Sequence, residues 1–333
     1  MAKPIYTLLA LLMLCLPPAL PAQTLKIATL SPDGTSWMRS MRAAGKEISK
    51  RSNRRVKLRF YPGGVMGNDA SVMRKIRVGQ LQGGAVTPGA LAAVDKDVQV
   101  YSVPFLFRDL KEVDHVRRSM DKRLLKGLEG NGFVAFGFAE GGFAYLMSRK
   151  PVETIDGLKA GKVWSPEGDQ VSLTAFESVG ISPVSLPVTD VLTALQTGLV
   201  DTVASPAVAA IALQWHTKVK YLTDVPLLYT YGFLVIADNA FKKLSAKDQE
   251  LVREVLNRSF KSIDRQSRKD NAQALAVLKR QGIGFVEPPP KDLKRWRRTV
   301  DTAVKKLERK GFFSKGVVER VRKLLADYRR GKS

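Results

Sequence analysis

Short β-branched runs alternate with amphipathic stretches along most of the chain, which predicts strands and helices in turn. In the first half, strands are predicted at 25–29, 56–61, 83–87, 134–138 and 145–147. A helix is predicted at 36–51, and Asn68 and Ser71 are suited to cap another that ends near Gly79. This alternation predicts an α/β fold with parallel sheets built from βαβ units.

A second α/β unit begins near Lys150, where Thr154 is suited to cap a short helical turn. Its predicted strands are 162–164, 184–186, 200–204, 220–223 and 232–236, with helices at 170–179 and 189–197. Because the chain returns to the first unit, two domains joined by more than one crossing are expected. The predicted domains are 23–141 with 230–269, and 142–229 with 270–333.

One segment lacks helix breakers for an unusual length. No glycine or proline occurs from Ser245 to Gln281, Ser245 and Asp248 form a capping box, and Gly282 follows the end. A single helix here would be about 50 Å long at about 1.5 Å per residue, longer than one small domain. We therefore predict one helix that spans both domains; two shorter helices with an unmarked break are the alternative.

The first 22 residues have the layout of a secretory signal peptide. Lys3 precedes an apolar run, and a Pro/Ala-rich segment ends at Ala22, which is the predicted cleavage point. Export to the periplasm is therefore predicted. Cleavage would remove Cys15, the only cysteine, and with it any disulfide or thiolate chemistry. Lipid attachment at Cys15 is the alternative, although Leu14 does not suit such a site.

The charge balance is strongly basic, with 55 lysines and arginines against 31 acids and a net charge of +24. The densest region is 291–333. Yet no basic motif interleaved with aromatic residues is present, so no nucleic-acid partner is predicted. The cations are interpreted as solvated helix faces, with attraction to an acidic partner or an anionic membrane as the alternative.

Catalytic and metal-binding motifs are missing from the sequence. It contains no nucleophile elbow, P-loop, dinucleotide fingerprint or zincin motif. His115 and His216 are far apart and are interpreted as packing or surface residues rather than metal ligands. The prediction is a non-enzyme without a cofactor or metal; an extracytoplasmic sensor or scaffold is a further alternative.

Several motifs resemble the core of TRAP (tripartite ATP-independent periplasmic) transporter solute-binding proteins of the DctP-like family. They are DGLK at 156–159, GKV at 161–163, GISPV at 180–184, VLTALQTGLVD at 191–201, YPGG at 61–64 and GQL at 79–81. The resemblance covers nearly the whole chain after the leader. It implies a periplasmic binding protein type II-like fold: two α/β domains with a ligand cleft between them and a long helix spanning both. It also implies TRAP membrane permease subunits as partners.

The motif IATLSP at 27–32, followed by Gly34 and Trp37, resembles the corresponding sequence of one subgroup of this family. That subgroup is paired with a tetratricopeptide-type periplasmic protein and suspected of carrying hydrophobic ligands. The resemblance therefore adds such a protein as a second predicted partner.

The chain departs from the family at the ligand clamp. Most members hold a ligand carboxylate with an arginine, whose planar fork suits bidentate binding, but Trp164 occupies that position here. The usual second arginine falls in Phe143-Ala144-Tyr145, the usual aromatic residue is Val188, and the usual asparagine is Ser205. These departures predict a small ligand that is largely apolar or amphipathic.

The predicted site combines these positions with others that we expect near the cleft. The predicted ligand-binding residues are Trp37, Met66, Asn68, Thr87, Phe143, Tyr145, Trp164, Glu167, Val188, Ser205 and Tyr231. Two alternatives stay open. Trp164 could pack inward between sheet and helix, or a cation such as Arg149 or Lys162 could clamp a carboxylate or dicarboxylate ligand instead.

Overall fold

The structure is a computed structural model that describes residues 22–331. Its strands are β1 (Gln23–Thr29), β2 (Val56–Tyr61), β3 (Gly83–Val86), β4 (Phe133–Ser148), β5 (Trp164–Pro166), β6 (Val184–Leu186), β7 (Thr202–Ser205), β8 (Tyr221–Ala237) and β9 (Gly284–Val286). Its α-helices are α1 (Ser36–Arg51), α2 (Asp69–Arg77), α3 (Pro88–Leu91), α4 (Leu110–Gly130), α5 (Ile155–Lys159), α6 (Gln170–Ser178), α7 (Val191–Thr197), α8 (Ala207–Ala212), α9 (Asp238–Phe241), α10 (Ala246–Arg280), α11 (Pro290–Arg309) and α12 (Val317–Arg329). The α/β class is as predicted.

The main sheet has seven strands in the order β2-β1-β3-β8-β4-β7, with β9 also paired to β8. β1 is parallel to β2 and β3, whereas β8 is antiparallel to β3 and β4, and β4 is antiparallel to β7. Parallel pairing, which was predicted throughout, is therefore limited to β2-β1-β3, the β8–β9 pair and a separate two-stranded sheet of β5 and β6. Two long antiparallel strands run through the centre and join what the sequence indicated as separate units.

These two strands, β4 and β8, correct four of the predicted elements. Each was expected as two short strands, but each is continuous and pairs with the other along its length, with register shifts such as the one between Glu140 and Gly142. Gly142 has a φ of 96°, which a residue with a Cβ rarely adopts. The glycine pair after Glu140 forms a bulge within an unbroken strand.

The halves of these strands divide the molecule into two lobes. In the first lobe, residues 133–139 of β4 and 232–237 of β8 pair beside β3. In the second lobe, 143–148 and 221–229 pair beside β7 and β9. Helix α10 is a single helix that contributes Leu251 to Ile263 to the first-lobe core and Ala274 and Leu278 to the second-lobe core. The predicted spanning helix is therefore confirmed, and the alternative of two shorter helices is wrong.

The C-terminal helices pack on different lobes. Helix α11 packs on α6, whereas α12 packs on α4 of the first lobe, where Arg329 donates to Glu112 at 2.7 Å. Val317, Val321 and Leu325 of α12 are buried in the same core as α4. This packing differs from the predicted boundary, which gave all of 270–333 to the second domain, because the apolar face of α12 covers α4.

The predicted leader, 1–22, lies outside the described residues except for Ala22. Within residues 22–331, none of the helices combines the length and apolar character needed to cross a bilayer.

Candidate ligand-binding site

A cavity of about 400 Å³ lies between the two lobes, and we call it the interlobe cavity. The ends of β1 and β3, the start of α1, the middle of α10 and helix α8 contribute to its wall. Its aromatic lining residues are Trp37, Trp164, Phe176, Trp215, Tyr231 and Phe233. Pockets of this size, lined by aromatic and aliphatic side chains, are typical of sites for small organic ligands.

Trp164 both borders the cavity and packs within the second lobe. The residue is only 4% exposed. Its indole N–H donates to the carbonyl of Leu186 at 2.9 Å, and its ring packs edge-on against Trp215 with ring centres 5.2 Å apart. The predicted wall position and the predicted inward packing therefore coexist in one residue. A ligand in the cavity would therefore contact an indole whose orientation is already fixed by Leu186 and Trp215.

The polar part of the lining consists mainly of hydroxyl groups and three acids. The hydroxyl-bearing lining residues are Thr29, Ser31, Thr35, Ser36, Ser40, Thr87, Ser102, Ser172, Ser205, Thr230, Ser267 and Tyr231. The acids are Glu140, Asp169 and Asp270. In the described part of the chain, no arginine, lysine or histidine lines this cavity, although the whole protein carries a net charge of +24.

Two of the three acids are held by partners behind the wall. Arg268 donates to both carboxylate oxygens of Glu140, at 2.8 and 2.7 Å. Asp169 caps α6 by accepting from the backbone N–H and hydroxyl of Ser172, at 3.0 and 2.6 Å. Burial raises the pKa of Asp169, and the bonds from Ser172 oppose that rise. Asp270 accepts only from the hydroxyl of Ser36 and, at 2.7 Å, from the amide of Gln266.

Six of the predicted ligand-binding residues line the interlobe cavity. They are Trp37, Thr87, Trp164, Val188, Ser205 and Tyr231. Thr87 also donates its backbone N–H and its hydroxyl to the buried Asp69, at 3.0 and 2.6 Å, which fixes the end of β3. These six come from both lobes, as expected for a site in a cleft.

The other five predicted residues lie outside this lining. Phe143 packs against Tyr229 with ring centres 6.0 Å apart, and Tyr145 packs against the second-lobe core. The bulge after Glu140 shifts the side-chain alternation of β4 by one position, so these two rings face away from the cavity.

The three remaining predicted residues lie near the contact between the lobes or against the first-lobe core. Met66 packs against the first-lobe core. Asn68 caps α2 by accepting from the N–H of Ser71, and its amide lies 3.5 Å from the carboxylate of Glu167 in the other lobe. Asn68 and Glu167 therefore bridge the lobes rather than face the cavity.

Sequence reasoning missed two contributions to the wall. Helix α8 and the segment after it supply Val208, Ala209, Ala212 and Leu213. The middle of α10 supplies Ile263, Gln266, Ser267 and Asp270. Positions 263, 266, 267 and 270 share one helical face, a spacing visible in the sequence, but three of them are polar and resemble a solvent-exposed face.

The two cations considered as replacements for the arginine clamp serve another purpose. Arg149 donates to the carbonyl of Leu195, and the ammonium of Lys162 donates to the carbonyl of Gly198 at 2.9 Å. Both groups therefore satisfy carbonyls at the C-terminal end of α7, where cations are favoured. Neither residue lines the interlobe cavity.

The lobes touch beside the cavity. A Cβ added to Gly89 of α3 would lie 3.1 Å from the backbone carbon of Gly168 in the other lobe. The amide of Gln99 donates to the carbonyl of Gly168 at 2.9 Å. With the Asn68–Glu167 contact, these approaches close one side of the interlobe cavity.

Metal and histidine chemistry finds no support in this arrangement. In residues 22–331, no group of three or more His, Cys, Asp or Glu residues is placed to hold a metal ion. His115 packs on the ring of Tyr328 at 4.8 Å, and the Nδ1 of His216 lies 3.1 Å from the carbonyl of Ala210. Both histidines are therefore in contact with neighbouring groups, as the packing interpretation expects.

A cavity between two α/β lobes that share crossing strands and a spanning helix is the architecture of a two-lobed solute receptor. The model of the family described as bacterial extracellular solute-binding protein, family 7 (DctP) matches residues 27–310. The chain therefore belongs to this family of TRAP transporter receptors. The family's solved members are periplasmic solute-binding proteins, and the chain has the receptor role that defines them.

Individual relatives are distant in sequence. A solute-binding protein of Verminephrobacter eiseniae is 26% identical over 247 residues, which cover 73% of this chain and 72% of the relative. The sialic acid-binding protein SiaP of Vibrio cholerae is 20% identical over 292 residues, covering 86% and 89%. The sugar acid-binding protein of Advenella mimigardefordensis, solved with galactonate, superimposes with a TM-score of 0.86 at 22% identity, covering 92% of this chain and 99% of the other. These relatives are binding proteins rather than enzymes.

Proposed function

We propose that the interlobe cavity of this TRAP receptor holds a small, largely apolar ligand without a carboxylate and delivers it to the membrane permease. The observation that carries the proposal is the absence of cations from the lining within residues 22–331, in a cavity that contains three acids and six aromatic residues. The predicted site residues Trp37, Trp164 and Tyr231 then act as apolar wall, and Ser205 and Thr87 supply hydroxyls.

A carboxylate and an apolar group differ in the free energy of burial in this cavity. A buried carboxylate is tolerated when a cation or several hydrogen-bond donors compensate its lost hydration, and an uncompensated one is costly. An apolar ligand gains about 25 cal/mol for each Å² that it removes from water, so about 200 Å² of contact is worth about 5 kcal/mol before the costs of association. The apolar term therefore favours binding here, whereas Asp270, which forms no ion pair in the described part of the chain, opposes an anion.

The ligands of the named relatives make a carboxylate ligand the alternative. Sialic acid and galactonate, the ligands of two relatives, are both carboxylates. A carboxylate bound here would depend on the hydroxyl groups of the lining alone, because Arg149 and Lys162 are used at the end of α7. The carboxylate or dicarboxylate ligand is thus the second candidate, favoured by the relatives and opposed by the lining.

The cellular setting completes the proposal. The first 22 residues act as a cleaved signal peptide, and the mature protein works in the periplasm with TRAP permease subunits. The similarity of residues 27–37 to one subgroup supports a tetratricopeptide-type periplasmic protein as a further partner. Deleting the gene for such a partner should reduce uptake of the ligand by cells, and unchanged uptake would remove this partner.

The test is a binding panel on the mature protein, residues 23–333. Calorimetry and thermal shift would compare fatty alcohols and other neutral lipids with fatty acids, galactonate and succinate. We expect neutral apolar compounds to bind and the short acids to have no effect. Tight binding of galactonate or succinate, with no response to any apolar compound, would contradict the proposal.

Trp37→Ala sharpens this test because Trp37 lines the cavity and is only partly buried. Loss of the indole contact should weaken apolar binding by about tenfold, which corresponds to about 1.4 kcal/mol. Trp37→Phe, which keeps an aromatic ring, is the matched control and should lose less.

A further inference from the structure

Asp270 differs from the other two acids of the interlobe cavity in what holds it. Glu140 is paired with Arg268, and Asp169 is tied to the N-terminal turn of its own helix by Ser172. Asp270 receives only the neutral donors of Ser36 and Gln266, and it takes part in no salt bridge in the described part of the chain. It is therefore the acid of the lining that neither a cation nor a helix N-terminus stabilises, since Asp169 caps α6.

Asp270 keeps hydrogen-bonding capacity that its two donors do not use. An ionised carboxylate accepts about four hydrogen bonds, and the two donors use about half of that capacity. Ser36, Gln266 and Asp270 all line the cavity, so the three groups form a single polar patch on its wall. Bonds from Ser36 and Gln266 also fix the carboxylate in place, which lowers the entropic cost of binding a ligand there.

The surroundings of Asp270 favour a positively charged group over a hydroxyl. Trp37 follows Ser36 in the first turn of α1, and its indole also lines the cavity. Aromatic faces attract organic cations, most strongly where water is excluded. No cation of the protein competes for this carboxylate from within the lining of residues 22–331.

We infer that Asp270 binds an organic ammonium group, so that the ligand is an amphiphilic amine whose apolar body fills the aromatic part of the interlobe cavity. This inference rests on the proposed function and adds the charge of the ligand's polar end. Ser36 and Gln266 are positioning residues that hold the carboxylate.

The test uses three probes with one apolar body and different ends: phenylbutylamine, phenylbutanol and phenylbutyrate. Calorimetry on the mature protein should give the tightest binding for the amine, about tenfold tighter than for the alcohol, as expected for one charge-assisted hydrogen bond. Asp270→Asn should reduce the amine to the level of the alcohol and leave the alcohol nearly unchanged. Phenylbutyrate should bind most weakly.

Glu250→Gln is the matched control, because it removes the same charge from an exposed position of the same helix outside the cavity. It should leave the amine-to-alcohol ratio as in the wild type. An amine that binds no better than the alcohol, or a ratio that Asp270→Asn does not change, overturns the role of Asp270 while the apolar receptor stands. Tightest binding of phenylbutyrate overturns both proposals.

Discussion

Two faces of the middle of α10 show opposite uses of charge. On one face, Asp264 and Arg268 enter an ionic network with Arg117 and Glu140, in which Arg117 donates to Asp264 at 2.9 Å and Arg268 contacts Glu140 at 2.7 Å. On the face that lines the interlobe cavity, Gln266, Ser267 and Asp270 bring no cation at all. One helix therefore carries both a dense ion cluster and a wall without positive charge.

The net charge of a protein therefore does not indicate the charge of the residues that line its binding site. The arginines near the lobe junction are committed to structure: Arg268 also binds Asp114 at 2.6 Å, and Arg117 also donates to Tyr229 at 3.0 Å. The network ties together α4, β4 and α10, which are the elements that meet where the lobes join. A net charge of +24 is thus compatible with a cavity whose lining, within residues 22–331, contains no arginine, lysine or histidine.

The largest expected effect is on the cavity side. Trp164→Ala removes a buried indole that packs on Trp215 and bonds to Leu186, so we expect a loss of about 3–5 kcal/mol in the free energy of unfolding. Urea denaturation of the mature protein measures it. Trp164→Phe keeps most of the packing and should lose clearly less. A loss below about 1 kcal/mol for the alanine variant would mean that Trp164 serves only as ligand wall.

On the network side, Arg268→Met should cost about 3 kcal/mol of unfolding free energy, because it leaves the fully buried carboxylate of Glu140 without its main partner. Arg253→Met is the control, since its pair with Glu129 is exposed and such pairs contribute about 0–1 kcal/mol. Equal losses for the two variants would contradict the structural role of the network.

Closure of the cavity is tested by Gly89→Val. Gly89 has an ordinary backbone conformation, so the added side chain should act mainly by pressing on Gly168 in the other lobe. We expect about tenfold weaker binding of the apolar ligand, equivalent to about 1.4 kcal/mol, and a larger radius of gyration by small-angle scattering. Gly130→Val, at a position with open space around it, is the control. A variant with unchanged affinity and scattering would show that the lobes need not meet at Gly89.

The smallest effect concerns an ion pair remote from both regions. The Arg55 guanidinium beside Asp248 holds the pKa of that carboxyl below its usual value of about 3.9. The folded protein then binds fewer protons than the unfolded chain, so this stabilisation is present above about pH 4 and is lost as the pH falls through the lower folded pKa. Asp248→Asn should remove this acid-dependent loss from the free energy of unfolding, measured by urea denaturation across that pH range.

Asp301→Asn, at an exposed position, is the control for this pH dependence and should retain the wild-type loss at low pH. If Asp248→Asn also retains it, the acid sensitivity arises elsewhere.

The sequence was informative where one local signal fixes an element. Ser245, Asp248 and Gly282 predicted the limits of α10 to within a residue, because caps act locally. The crossing strands were predicted only in part, because the alternation of side chains is interrupted where β4 shifts its register against β8, as between Glu140 and Gly142. The same bulge decides which residues face the cavity, so Phe143 and Tyr145 could not be placed from alternation alone.

The part of the site contributed by α10 could not be predicted from the sequence, for a different reason. Gln266 and Asp270 are ordinary residues for a solvated helix, and only the position of the second lobe brings them into the wall. Trp37 and Trp164, in contrast, could be found from the resemblance to known receptors. Tertiary placement, rather than local propensity, therefore decided the polar half of the site.

The most direct test of the account is the identity of the ligand that the protein carries in its own cell. Native mass spectrometry of the mature protein isolated from its host's periplasm, followed by high-resolution mass spectrometry of the released compound, gives that identity. The account predicts a mostly hydrocarbon compound that has no carboxyl group and ends in an amine. Release of a sugar acid or a dicarboxylate would contradict it.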